Sequence, residues 1–91
     1  MKARASVTFK GKVQGVFFRA NTRDAAERFR VFGWVKNMWD GSVGAVFEGE
    51  KEDIEKLIKW CKTQQPYAKV NRADVKWEEF TGEFTKFEVR Y

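Results

Sequence analysis

The stretch that decides the fold covers residues 34–48 and reads WVKNMWDGSVGAVFE. Residues 34–39 and 42–48 are rich in β-branched and aromatic side chains, which favour strands. Between them stands Asp40-Gly41, a dipeptide typical of a tight turn between antiparallel strands. The stretch therefore predicts a β-hairpin in the middle of the chain.

The hairpin is flanked by two predicted amphipathic helices. The first spans about three turns, and Gly33 is a plausible stop for it. The second covers residues 50–64, and Pro66 prevents it from continuing. The apolar stripe of the first helix consists of Ala25, Phe29 and Phe32, and that of the second of Ile54, Leu57, Ile58 and Cys61.

Alternating polar and apolar residues predict three more strands, at residues 3–13, 70–80 and 84–91. The order β-α-β-β-α-β with a terminal strand favours an α+β sandwich of the ferredoxin-like type. Its two helices would cover one face of a mainly antiparallel sheet. We expect the core strands to lie in the order fourth, first, third, second, and the sequence leaves the place of the last strand open. The 91 residues show no repeat or linker, so we expect one domain over residues 1–91.

The composition excludes several kinds of chemistry. The chain has no histidine, which excludes imidazole bases, phosphohistidine and His-ligated metals. Cys61 is the single cysteine, so the chain forms no internal disulfide and no cysteine-based zinc site. The net charge of +5 suits an anionic partner. We expect no metal and no cofactor.

The chain also shows no pattern typical of export or membrane insertion. It lacks the apolar stretch of a secretory signal and any run of about 18 apolar residues. We therefore expect a cytoplasmic protein without a membrane partner. Asn and Gln are scarce while Lys and Glu are plentiful, which weakly indicates a thermophilic source.

The segment between the first strand and the first helix carries the chemistry. A helix that begins here has amide N–H groups without intrahelical partners, and Gly15 lets successive N–H groups point into one concavity. Arg19 adds a planar, permanently charged guanidinium that matches phosphate or carboxylate. The segment predicts an oxyanion site, although its spacing alone also fits an ordinary turn followed by a surface arginine. Val13 stands where a cysteine phosphatase would have its thiol, which excludes covalent phosphocysteine chemistry.

Two blocks of the sequence resemble the signature blocks of the acylphosphatase family. Residues 11–19 read GKVQGVFFR and match G-x-V-Q-G-V-x-F-R, and residues 33–43 read GWVKNMWDGSV and match G-W-V-x-N-x-x-D-G-x-V. Length and predicted element order agree across the whole chain. The resemblance implies a small ferredoxin-like enzyme that hydrolyses the carboxyl-phosphate bond of acyl phosphates and needs no metal.

The resemblance also assigns roles to individual residues. It implies that Asn37 positions the attacking water and that Arg19 and the loop amides hold the phosphoryl group. The phosphate-binding residues would be Gln14, Gly15, Val16, Phe17, Phe18 and Arg19. Asp40 has a structural role in the turn. Inorganic phosphate is expected as product and competitive inhibitor, and the protein is expected to be a monomer.

Two further residues carry expectations about the local structure. Arg30 stands where family members commonly have a glycine near the end of the first helix. Either the helix ends differently, or Arg30 adopts a left-handed conformation at a cost of roughly 1 kcal/mol. We also expect the carboxylate of the last residue, Tyr91, to lie near Arg19 and help orient it.

Two alternatives compete with a hydrolase. A ferredoxin-like domain can bind nucleic acid, but this use needs exposed aromatic residues on a central strand. Residues 42–48 offer only Phe47 and no basic residue, and the four tryptophans are predicted to be core. We therefore expect no nucleic-acid partner. The second alternative is an inactive acylphosphatase-like regulatory domain, against which the intact Arg19 and Asn37 argue.

Overall fold

The computed structural model describes residues 1–91 as five strands and two helices. The strands are β1 (Lys2–Lys12), β2 (Phe32–Asn37), β3 (Val43–Glu50), β4 (Lys69–Glu78) and β5 (Phe87–Arg90), and the helices are α1 (Phe18–Arg28) and α2 (Lys51–Thr63). Every predicted element is present, in the predicted order. Neither helix is both long and apolar enough to cross a lipid bilayer.

All strands belong to one sheet in the order β4-β1-β3-β2-β5. The predicted core order is therefore confirmed. β5, whose place the sequence left open, pairs with β2 and runs parallel to it. The other pairs are antiparallel. Because β5 lies beside β2, the C-terminal end of the chain comes close to the end of β2.

Both helices cover the same face of the sheet, and the core lies between them and it. On β1, Ala5, Val7 and Phe9 are buried while the residues between them are more exposed, as the alternating pattern predicts. The helices contribute buried side chains at helical spacing, namely Phe18, Thr22, Ala25 and Ala26 from α1 and Ile54, Leu57, Ile58 and Cys61 from α2. This arrangement is the predicted ferredoxin-like sandwich.

The end of α1 differs from the prediction. The helix stops at Arg28, and Phe32 lies in β2 with 44% of its surface exposed, so it does not belong to the buried stripe. Gly33 is also in β2 and is not the helix stop. A side chain at this position would clash with the carbonyl oxygen of Val46 on β3, so glycine serves the close approach of two strands.

Arg30, two residues after the last residue of α1, provides the left-handed conformation that terminates the helix. Its φ of 58° is left-handed, which is the second of the two alternatives drawn from the sequence. The amide of Arg30 donates to the carbonyl of Glu27 at 3.3 Å, and the amide of Val31 donates to the carbonyl of Ala26 at 2.8 Å. These two bonds form a Schellman motif, in which the left-handed residue is usually glycine.

The hairpin turn is longer than the predicted Asp40-Gly41 pair. β2 ends at Asn37, which pairs with Val43, so residues 38–42 form the connecting loop. Asp40 stabilises this loop, because its carboxylate accepts hydrogen bonds from the amide and hydroxyl of Ser42 at 3.0 and 2.6 Å. These bonds hold the pKa of Asp40 below its usual value. The loop places Asn37 at the end of its strand.

The prediction that all four tryptophans are core residues is wrong. Trp39 projects from the hairpin loop and is fully exposed, and Trp77 on the edge strand β4 is 39% exposed. Trp34 and Trp60 are partly buried. Residue type indicates burial only on average. Trp39 is exposed because its loop lies outside the sheet and does not pack on the core.

Candidate active site

The loop between β1 and α1 presents amide N–H groups that no group of the chain accepts. The first backbone hydrogen bond of α1 joins the amide of Asn21 to the carbonyl of Phe17 at 3.0 Å, and the amides of residues 14–20 donate to no acceptor. Gly15 and Phe17 have φ values of 73° and 60°. Left-handed residues within such a loop turn successive N–H groups towards one concavity, and a helix N-terminus adds positive potential there. A loop with this geometry can bind an anion.

The conformation of Phe17 carries a cost that glycine would avoid. A left-handed conformation costs a residue with a side chain on the order of 1–2 kcal/mol. The ring of Phe17 is 73% exposed, so it recovers little of this cost by burial. Backbone strain of this kind is concentrated at functional sites, where the surrounding structure maintains it.

Gln14 fastens this loop to the hairpin. Its side-chain amide donates to the carbonyl oxygens of Met38 and Ser42, both at 2.8 Å. These two residues flank the turn that follows Asn37. The side chain of Gln14 therefore brings the loop and the end of β2 together.

A cavity of about 350 Å³ opens between the loop, the start of α1 and the ends of β2 and β5. Five of the residues proposed from the sequence line it: Gly15, Phe17, Phe18, Arg19 and Asn37. Gln14 and Val16 do not line it. The side chain of Val16 lies in the core instead, so any contribution from either residue to an anion would come from its backbone amide.

Arg19 is held by the C-terminal end of the chain. Its guanidinium donates to the carbonyl oxygen of Arg90 at 2.9 Å and lies 4.6 Å from the centre of the Tyr91 ring. The expected contact with the C-terminal carboxylate is not among the ion pairs of the chain. The last residue orients Arg19 through its ring and the preceding carbonyl group, since the parallel pairing of β5 presents these atoms.

Two of the side chains that line the cavity are positively charged. Arg19 and Arg23 both line it, and none of its lining residues has an acidic side chain. Val13, Ala20, Arg23 and Val89 also line it and were not predicted as site residues, whereas Tyr91 was expected near Arg19, although through its carboxylate. Arg23 follows Arg19 by four residues in a helix, a spacing that places two side chains on one face, so it was within reach of prediction. Val89 and Tyr91 depend on the position of β5.

Asn37 brings a neutral amide to the same cavity. It is partly buried at the end of β2, and none of the side-chain hydrogen bonds of the chain involves it. Its amide group is therefore free to accept one hydrogen bond and donate another.

Other reactive groups lie away from this cavity. Cys61 is buried on α2, and burial raises the pKa of its thiol to about 11, so the thiolate form that attacks phosphorus is disfavoured. No three side chains among His, Cys, Asp and Glu are grouped to hold a metal ion.

The chain is similar to known proteins over its whole length. The family model for acylphosphatase matches residues 5–89. An acylphosphatase of Geotalea uraniireducens is 52% identical over 91 residues, which is the full length of both chains. The crystal structure of acylphosphatase from Bacillus subtilis superimposes with a TM-score of 0.93 at 28% identity, with full coverage of both chains. A similar fold also occurs inside a larger protein, full-length HypF, where the match has a TM-score of 0.91 and 26% identity and covers 12% of that chain.

Proposed function

The chain belongs to the acylphosphatase family, hydrolases of the carboxyl-phosphate bond, and on that premise we propose how its residues perform the reaction. Arg19 and the amides of residues 14–19 bind the phosphoryl group of an acyl phosphate. Asn37 orients the water that attacks phosphorus. The products are a carboxylate and inorganic phosphate.

One observation carries this proposal. Loop residues with unpaired amides, among them Gly15 and Phe17, line a single cavity together with the guanidinium of Arg19 and the free amide of Asn37. Phosphoryl transfer passes through a loose transition state with charge on the equatorial oxygens, so catalysis depends on positioning and charge stabilisation. Preorganised N–H donors and a fixed arginine supply both without rearranging during the reaction.

The side chains of the cavity match the leaving group of this substrate class. A departing carboxylate has a conjugate-acid pKa of about 4, so it leaves without receiving a proton. A phosphate monoester would release an alkoxide and would require a general acid. The cavity offers no carboxyl, thiol or imidazole side chain for that role, and the ring of its one phenol, that of Tyr91, packs against Arg19. Its residues therefore favour acyl phosphates over phosphate monoesters.

Inorganic phosphate has the same oxygens as the transferred group, so it competes with substrate for Arg19 and the loop amides. All these groups come from one chain, and we propose that the protein acts as a monomer without a metal or cofactor. The buried position of Phe47, the only aromatic residue of β3, further supports a hydrolase over a nucleic-acid-binding module.

The test is hydrolysis of acetyl phosphate in the presence of EDTA, with the wild-type protein compared to Asn37→Ala. We expect metal-independent turnover that falls by about 10²–10³-fold in the variant, the loss typical of removing one preorganised transition-state group. Asn71→Ala, at an exposed position of β4, is the matched control and retains turnover. Competitive inhibition by inorganic phosphate is measured in the same assay.

Two results would contradict the proposal. Near wild-type turnover of a folded Asn37→Ala protein removes Asn37 from the mechanism. A folded wild-type protein without turnover at any temperature supports an inactive domain or a nucleic-acid-binding module. Binding of an oligonucleotide that weakens steeply with salt would distinguish the second from the first.

A further inference from the structure

We propose that Arg23 selects acyl phosphates whose acyl group carries a second anionic group, a carboxylate or a phosphate. This inference rests on the proposed function, because it concerns the part of the substrate that the phosphate-binding groups do not hold. Three observations support it: the position of Arg23, its weak contacts within the chain, and the side from which water would attack phosphorus.

Arg23 lies in the same cavity as Arg19, on the next turn of α1. Residues four apart in a helix share a face, so the two guanidinium groups project in similar directions. The lining residues include no acidic side chain to balance them. A single phosphoryl group already has Arg19 and the loop amides as partners, so the positive charge of Arg23 is in excess.

The two arginines differ in how firmly the chain holds them. Arg19 is fixed by the carbonyl of Arg90 and the ring of Tyr91. The Arg23 side chain has one polar contact, an ion pair with Asp24 at 3.6 Å in which the two side chains are 45% and 64% exposed. A pair so exposed contributes little, and the Arg23 side chain can turn towards a ligand at small cost.

The position of Asn37 indicates the side to which the acyl group extends. Asn37 also lines a second depression of about 280 Å³, together with Lys36, Met38, Trp39 and Tyr91. It therefore lies at the boundary of the cavity and this depression. Attacking and leaving oxygens are roughly in line across phosphorus. If water lies at Asn37, the acyl group points away from the second depression and towards the rest of the first cavity, whose lining includes Arg23.

The test measures binding of two acylmethylphosphonates, in which a CH₂ group replaces the anhydride oxygen and prevents hydrolysis. One carries a meta-carboxybenzoyl group, and the other the neutral meta-carbamoylbenzoyl group of the same shape. Calorimetry gives both dissociation constants. We expect the wild-type protein to bind the carboxylate about fivefold more tightly, the effect of a partly exposed ion pair.

Variants assign this preference to one side chain. Arg23→Gln removes it, and Arg23→Lys retains it because the charge remains. Arg28→Gln is the matched control: it removes the same charge from the same helix, but its guanidinium lies 5.4 Å from the Trp60 ring, outside the cavity. This control keeps the preference.

Three results would overturn the inference. These are equal binding of the two compounds by wild type, no binding of either, or a preference that persists in Arg23→Gln and disappears in Lys36→Gln. The last result places the acyl group in the second depression. Hydrolysis is tested separately with acetyl phosphate, so a protein that shows the charge preference without turnover contradicts the proposed function and leaves the selectivity of Arg23 established.

Discussion

Amide N–H donors are grouped at two places in the molecule, around the carboxylate of Glu48 and in the loop before α1. Only at Glu48 does the chain itself supply the anion that accepts their hydrogen bonds. Glu48, on β3, accepts hydrogen bonds from the amides of Thr81 and Gly82 at 2.8 and 3.1 Å. It also accepts bonds from the Thr81 hydroxyl at 2.9 Å and from Arg4 at 3.2 Å. The loop before α1 has the donors and the arginine, and no carboxylate.

The Glu48 carboxylate is therefore an anion with a structural role, whereas the loop before α1 has donors that we propose bind an anion from a ligand. The Glu48 side chain is only 2% exposed, and its bonds attach the segment after β4 to the sheet. The amides of the loop before α1 have no such partner within the chain. They become useful when a ligand brings the anion, whose binding then stabilises the folded state.

The largest expected effect is a loss of activity, at Arg19 and not at Glu48. Arg19→Ala should lower kcat/KM for acetyl phosphate by about 10²–10³-fold, because a fixed transition-state donor is lost. The free energy of unfolding should change by less than about 0.5 kcal/mol, since the hydrogen bond and the cation–π contact of the guanidinium both involve exposed residues, Arg90 and Tyr91. Kinetics and urea unfolding measure the two quantities.

Arg72→Ala, at an exposed position of β4, is the control for loss of a positive charge. It should keep its activity. If Arg19→Ala instead lost several kcal/mol of stability, Arg19 would have a structural role like that of Glu48, and the contrast between the two places would fail.

The second effect is on stability. Glu48→Gln should lower the free energy of unfolding by about 2–3 kcal/mol, because it removes a buried charge and leaves Arg4 and two amides poorly paired. Activity of the folded fraction should persist. Glu83→Gln is the matched control, since Glu83 also pairs with Arg4 but is 55% exposed, and it should cost about 1 kcal/mol at most. Equal losses in urea unfolding would show that burial of Glu48 is not what matters.

The pH dependence of stability gives a third test. Burial alone would raise the pKa of Glu48, but hydrogen bonds from Thr81 and Arg4 outweigh it and lower the pKa from its usual value of 4.5. The charged form is therefore the one that stabilises the fold. Its contribution is fully present above pH 4.5 and is lost as the pH falls through the lowered pKa. The stability difference between wild type and Glu48→Gln should shrink in acid, and a constant difference would contradict this assignment.

Local patterns in the sequence predict much of the fold and the two candidate site residues, Arg19 and Asn37, that the structure places at one cavity. The hairpin, both helices and the alternating first strand follow from residue spacing, and Arg19 and Asn37 follow from short motifs. The same patterns do not predict how β5 pairs, because its parallel contact with β2 joins residues far apart in the chain. The roles of Arg90 and Tyr91 at Arg19 therefore required the structure.

The role of Gly33 also could not be predicted from local sequence patterns. Gly33 has the residue type of a helix stop, and local reasoning assigns it that role. Its actual role depends on the carbonyl oxygen of Val46 in the neighbouring strand, which no local pattern reveals. The helix ends at Arg28, and the left-handed residue that follows it is Arg30, a residue type that rarely takes this conformation.

The smallest expected effect concerns this same Arg30, at the opposite end of α1 from the loop that we propose binds the anion. Arg30→Gly should stabilise the protein by about 0.5 kcal/mol. Relief of the left-handed conformation gains about 1–2 kcal/mol, and the greater freedom of glycine in the unfolded chain offsets part of it. Activity should stay unchanged, because the substitution alters neither that loop nor the Glu48 cluster.

Arg30→Ala distinguishes the conformational cause from a charge effect. Alanine removes the same positive charge but remains strained at a φ of 58°, so its stability should stay close to that of wild type. Equal gains for the two variants in urea unfolding would mean that charge repulsion, and not backbone strain, limits stability here. A gain for glycine alone, at constant turnover, would show that strain at the end of α1 is separable from function, whereas the strain at Phe17 belongs to the loop that we propose binds the anion.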